Sequence, residues 1–190
     1  NMDFAPDADV ITNPENKVIG NRSFGTDPQL VGDMVSAAVK GFRDQAMASC
    51  IKHFPGHGGT KGDTHEGYAY TDRTVEQMES AELLPFRSGI EAGVEFIMAS
   101  HISAPNTPAG DTPASLSSYM LTDLLRELMG YQGLVITDAM NMGAISQQYS
   151  SAQAAVQAFQ AGADMILMPE NFTEAYNGIL QAVQSGQITQ

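Results

Sequence analysis

Short apolar runs alternate with amphipathic stretches along this chain, and the alternation predicts five strand-then-helix units of a parallel α/β fold. The first strand is expected from about Asp3 to Val10. The first helix follows from Pro28 to Asp44, with Asp27 as its N-cap and Pro28 at the first helical position. Leu30, Val31, Met34, Ala38 and Phe42 fall near helical spacing and mark its apolar side. Met47 to Phe54 reads as the second strand, followed by a Gly- and polar-rich segment to about Thr71. A helix is expected over Val75 to Ala92, with Pro85 kinking it or opening its second half. The third strand is Glu95 to Ser100, and the next helix Tyr119 to Met129. Gly133 to Thr137 is the fourth strand, Ala152 to Ala161 a helix, Ala163 to Met168 the fifth strand and Thr173 to Ser185 the last helix.

Polar residues decide between an open sheet and a barrel. Asp9, Lys52 with His53, His101 and Asp138 lie at the C-terminal ends of successive strands. Those ends converge on one pocket in a barrel, whereas in an open sheet only strands near the switch point share a site. The expectation is a (β/α)8 TIM-type barrel of which residues 1–190 form the C-terminal part. The opening Asn1-Met2-Asp3-Phe4-Ala5-Pro6 carries no leader pattern and reads as the middle of a strand, so the N-terminal strands are expected upstream.

Charge narrows the partners. The chain carries 22 acidic against 9 basic residues, a formal charge of −13. That balance repels phosphate backbones and anionic membranes, which argues against nucleic acid as a ligand. No apolar stretch approaches the roughly 20 residues that a membrane-spanning helix needs. The single cysteine, Cys50, excludes an intrachain disulfide and a cysteine-based zinc site; its apolar surroundings suit a buried thiol.

The candidate chemistry lies on two loops. Lys52-His53-Phe54-Pro55-Gly56-His57-Gly58 is followed by Asp63-Thr64-His65, and the Gly and Pro residues force a tight path that brings polar groups to a ligand. Asp63 and His65 are close enough in sequence for the carboxylate to fix the imidazole tautomer, which suits proton transfer near neutrality. His53, His57, Asp63 and His65 could alternatively supply a zinc site. Amidohydrolase-like metal barrels carry an Asp at the end of the last strand, however, and here that strand ends in Met168-Pro169 with Asp164 at its other end. Asp138 is a carboxylate delivered by the apolar strand Val135-Ile136-Thr137. An acid there, facing a proton donor on another loop, is what double-displacement glycoside cleavage requires.

With these residues in view, the chain closely resembles the bacterial β-N-acetylglucosaminidase branch of glycoside hydrolase family 3. The carrying pieces are Phe4-Ala5-Pro6 with Asp9, Asn13-Pro14-Glu15-Asn16 with Ile19-Gly20, Arg22-Ser23-Phe24-Gly25, the Lys52 to Gly58 block with Asp63 and His65, and Thr137-Asp138-Ala139-Met140 with Met142. The resemblance implies Asp138 as the nucleophile, His65 as acid/base and Asp63 as its dyad partner. It implies Arg22, Lys52 and His53 as sugar-binding residues, and His101 and Met142 as pocket-lining positions. It places the chain at about barrel strands four to eight, without the upstream Asp-Gln-Glu-Gly-Gly strand, and implies a carbohydrate substrate with no cofactor and no metal. The implied reaction releases terminal β-linked N-acetylglucosamine from peptidoglycan or chitin-like oligosaccharides. A phosphorylase or β-glucosidase of the same family, or an inactive sugar-binding fragment, are the alternatives.

Overall fold

The computed structural model describes residues 1–188. Four strands, β1 (Met2–Asp3), β2 (Ala48–Phe54), β3 (Phe96–Ala99) and β4 (Leu134–Thr137), form one parallel sheet in the order β1-β2-β3-β4. Each strand pairs with its neighbour in sequence, with no reversal of order, which is how strands run round a barrel. Helices α1 (Pro28–Asp44), α2 (Val75–Glu79) and α3 (Leu84–Glu91), a π-helix (Tyr119–Leu128), and then α4 (Gly143–Ser146), α5 (Ser151–Ala161) and α6 (Phe172–Gln184) fill the connections.

Local chemistry explains most boundaries. Asp27 caps α1 by accepting from the backbone of Gln29 and Leu30. The buried side of α1 is Val31, Val35 and Val39, while Leu30 and Met34 remain 52% and 43% exposed, so the packed stripe sits one position round from the expected one. The helix expected over Val75 to Ala92 breaks into α2 and α3, with a Thr74–Gln77 capping box opening the first and Pro85 in the first turn of the second. Phe54 and Phe86 meet edge to face at 5.4 Å in the core between sheet and helices.

The first and fifth strands are less regular than expected. β1 pairs only over Met2 and Asp3, and Asp7 joins β2 through a lone bridge to Lys52. Ala163 to Met168 runs beside β4 but pairs only through an Ile136–Met165 bridge. Backbone bonds hold the segment, from Thr137 N to Met165 O, from Asp164 N and Met165 N to Val135 O and from Met140 N to Leu167 O. Side chains add to them: Asp164 Oδ2 accepts from Val135 N at 2.7 Å, and Thr137 Oγ1 accepts from Leu167 N at 3.0 Å. Arg126 Nη2 donates to the same Asp164 oxygen at 2.6 Å, bracing the π-helix against the N-terminal end of β4. Met168, Phe172 and Tyr176 on the last unit stay 56%, 72% and 59% exposed, an apolar face left uncovered among the described residues. Among the described residues no helix is long and apolar enough to cross a membrane.

Candidate active site

The end of β2 turns inward at Lys52 and His53. Asp9, fully buried, receives the backbone N–H groups of His53 and His57 on Oδ1, and His53 Nδ1 lies 2.7 Å from its Oδ2. Gly58 follows because no side chain fits: a Cβ there would stand 2.1 Å from the Val10 carbonyl oxygen. Burial, opposed by the charges of Asp138 and Asp7, pulls the His53 imidazole down to about 4, so it is neutral near pH 7. A neutral ring that donates its Nδ1–H as a hydrogen bond to Asp9 presents a lone pair on Nε2, an acceptor suited to a hydroxyl.

Asp7 adds a second buried carboxyl. Its Oδ1 accepts from Asp9 N at 3.0 Å, but Oδ2 has no hydrogen-bond partner and lies 3.7 Å from His53 Nδ1. Desolvation, reinforced by the charge of Asp9, pushes its pKa up to about 7. Asp7, Asp9 and His53 bring ligand-capable atoms within 4.8 Å of one another. The Asp9–His53 contact is already a full hydrogen bond, tighter than two ligands of one ion would sit, so this trio fits a shared proton better than a metal. Asp7 escaped the sequence reading, because nothing in a Pro-Asp-Ala-Asp stretch shows that both acids turn into the core.

His57 is buried. Its ring spans Thr60 Oγ1 at 2.8 Å and Thr64 Oγ1 at 3.2 Å, and burial lowers its pKa. It thereby joins the Asp9 node to the loop bearing the Asp63–His65 pair. In that pair Asp63 Oδ1 accepts from His65 N at 2.9 Å and from His65 Nδ1 at 2.7 Å. Slight desolvation raises the Asp63 pKa, but the backbone N–H, ring and charge of His65 outweigh it and leave the carboxyl below its ordinary value. The acid is then an acceptor only, so Nδ1 carries the proton and Nε2 faces outward. The His65 side chain is 64% exposed.

Asp138 ends β4, half-buried, with its N–H donated to Ala99 O at 2.8 Å and its Oδ1 accepting from Ala139 N. Its charge raises the pKa values of His53, His57 and His101 against their burial, which places one carboxylate within electrostatic reach of all three. His101 is 1% exposed and engaged at both ring nitrogens, by Ser115 Oγ at 2.8 Å and Ala139 O at 3.0 Å. The carbonyl can only accept, so Nε2 is protonated and His101 braces the turn after Asp138 instead of offering a free nitrogen to a ligand. Met142 is buried at the N-cap of α4. Exposed Arg22 holds Ile19 O and Val18 O at 3.2 and 2.9 Å, and its charge lowers the His53 pKa. Lys52, half-buried, makes no ion pair among the described residues.

The comparisons with known proteins agree with one another. The family model described as "Glycosyl hydrolase family 3 N terminal domain" matches residues 1–190. A beta-hexosaminidase A of Pseudoalteromonas piscicida is 39% identical over 180 residues, covering 89% of this chain and 30% of the relative. The solved glycoside hydrolase family 3 β-N-acetylglucosaminidase from Paenibacillus sp. str. FPU-7 superposes with a TM-score of 0.97 at 42% identity, over all of this chain and 37% of that one. A β-glucoside phosphorylase, BglX, superposes with a TM-score of 0.93 at 28% identity over 36% of its length. The chain thus spans only 30% to 37% of these three relatives.

Proposed function

We propose that this chain, which belongs to glycosyl hydrolase family 3 and has its TIM-barrel-like α/β fold, supplies the catalytic loops of a retaining β-N-acetylglucosaminidase. The observation that carries the reading is the Asp63–His65 pair, an exposed imidazole with one nitrogen fixed on a carboxylate at 2.7 Å and the other free. His65 gives its Nε2 proton to the leaving oxygen while Asp138 attacks the anomeric carbon and forms a glycosyl ester. His65, now neutral, takes a proton from water, and the resulting hydroxide equivalent displaces Asp138 and releases the sugar with its original configuration. Asp63 keeps the same nitrogen pointed at the reaction in both steps.

His53, Lys52 and Arg22 hold sugar hydroxyls and the N-acetyl group, and Met142 lines the pocket. His101 serves the pocket by fixing the backbone beside Asp138. The substrates are terminal β-linked N-acetylglucosamine units of peptidoglycan fragments or chitin-like oligosaccharides, and the names of the beta-hexosaminidase and β-N-acetylglucosaminidase relatives support that class. Upstream β/α units of the same polypeptide complete the barrel, covering the apolar face of Met168, Phe172 and Tyr176.

The test uses the full-length protein and this chain in parallel, with chromogenic β-N-acetylglucosaminide and β-glucoside. Asp138→Ala should abolish turnover with the fold intact, and azide, attacking in its place with a single inversion, should restore it with an α-glycosyl azide as product. An Asp138→Ala variant as active as the parent overturns the nucleophile role. The likeness to a β-glucoside phosphorylase makes glycosyl transfer to phosphate the second reading. A sugar 1-phosphate formed in phosphate buffer would decide for it.

A further inference from the structure

The loop that carries His65 is anchored away from its own strand. α4, which begins five residues after Asp138, donates Gly143 N to His65 O at 3.2 Å and Ala144 N to Thr64 O at 3.1 Å. Gln147 Nε2 adds a third bond, to Glu66 O at 2.9 Å. Three consecutive carbonyls of the loop are therefore bound by the segment that follows Asp138. Glycine at 143 is what permits so close an approach. A Cβ there would stand 2.8 Å from the carbonyl carbon and oxygen of Glu66 and equally close to Gln147 Nε2. On its other side the buried Thr64 hydroxyl bonds His57, and the flanks of the loop are tied by the Lys61–Tyr70 backbone pair and by the Tyr68 hydroxyl on Asp111.

We propose that Gly143 and Gln147 are positioning residues for proton transfer: they clamp the backbone of residues 64–66 so that His65 is set against Asp138. The inference rests on the roles given above to His65 and Asp138. Three anchored carbonyls on successive residues leave the loop backbone little freedom. Among the described residues the His65 side chain has no partner but Asp63, so its reach toward a leaving oxygen is fixed by where that backbone is held. A displacement of about 1 Å at such a distance costs on the order of 10²-fold in rate.

The test is a leaving-group series on the full-length enzyme, from dinitrophenyl through nitrophenyl to an alkyl or sugar aglycone. Good leaving groups depart without a proton, so a fault in proton donation shows only as leaving-group pKa rises. Gly143→Ala, whose methyl must push the Glu66 carbonyl aside, should lose about 10²-fold in kcat/KM, which reports the glycosylation step alone, on the poorest leaving groups and little on dinitrophenyl. Gln147→Met keeps the side-chain length without the donor and should show the same trend at about fivefold. It also serves as the readout should Gly143→Ala not fold. Equal loss across the series, or no loss in Gln147→Met, overturns the clamp while leaving His65 in place. His65→Ala is the control: if its own losses do not grow with leaving-group pKa, the acid role fails first and the clamp with it.

Discussion

Two kinds of histidine share this molecule. His53, His57 and His101 are buried, protein groups take up one ring nitrogen of His53 and both of His57 and His101, and burial lowers the pKa of each. His65 stands on a loop with 64% of its side chain in solvent and one carboxylate partner. The same side chain is thus held fast where it is buried and left free, in the role proposed for His65, to carry a proton. The difference is made by burial and, for His57 and His101, by a fold that consumes both nitrogens.

The strongest way to break that contrast is to remove one histidine of each kind. His65→Ala should lower kcat on sugar aglycones by about 10² to 10⁴-fold. As an exposed position it should leave stability within about 0.5 kcal/mol of the parent. His101→Ala should do the reverse in the first instance, costing about 2–4 kcal/mol by leaving a cavity and orphaning the Ser115 hydroxyl and Ala139 carbonyl. Paired Tm and steady-state measurements check both, and a His101→Ala protein of parental Tm would refute the strut reading.

A subtler way is pH. A histidine whose folded pKa lies below its unfolded value gives stability that is complete above about pH 6.5 and lost as the pH falls toward 4. His53, at about 4, and its two buried neighbours all act in that direction. Asp7 acts oppositely: raised to about 7, it keeps a proton that the unfolded chain gives up from about pH 4, so its contribution falls as pH rises to 7. Asp7→Asn should therefore gain Tm on the parent between pH 4 and pH 8. A difference that stays flat across that range would show that no proton is held there.

Sequence reading reached the parts governed by short range. The Asp63–His65 pair was legible because two residues of separation almost dictate contact, and α1 was legible from Asp27 and Pro28. The capture of His101 was not, since its partners lie 14 and 38 residues away. Asp7 was missed because nothing local tells a buried carboxyl from a solvated one. The fifth strand lies beside β4 as its apolar residues promised and is joined to it by backbone bonds, but its ladder is less regular because Asp164 and Thr137 side chains occupy Val135 N and Leu167 N. Four-residue α4 is too short for periodicity to reveal, yet it contributes the bonds that hold the acid loop.

The Asp164 carboxylate, bound at once by Arg126 and Val135 N, stands at the end of β4 opposite Asp138. One strand therefore has its mechanical foothold at one tip and the proposed nucleophile at the other. In laboratory evolution of such a protein, substitutions around Arg126 should enrich under heat and substitutions around Gly143 under selection for turnover. Robustness and catalysis could then be improved in separate rounds, with little interference between them.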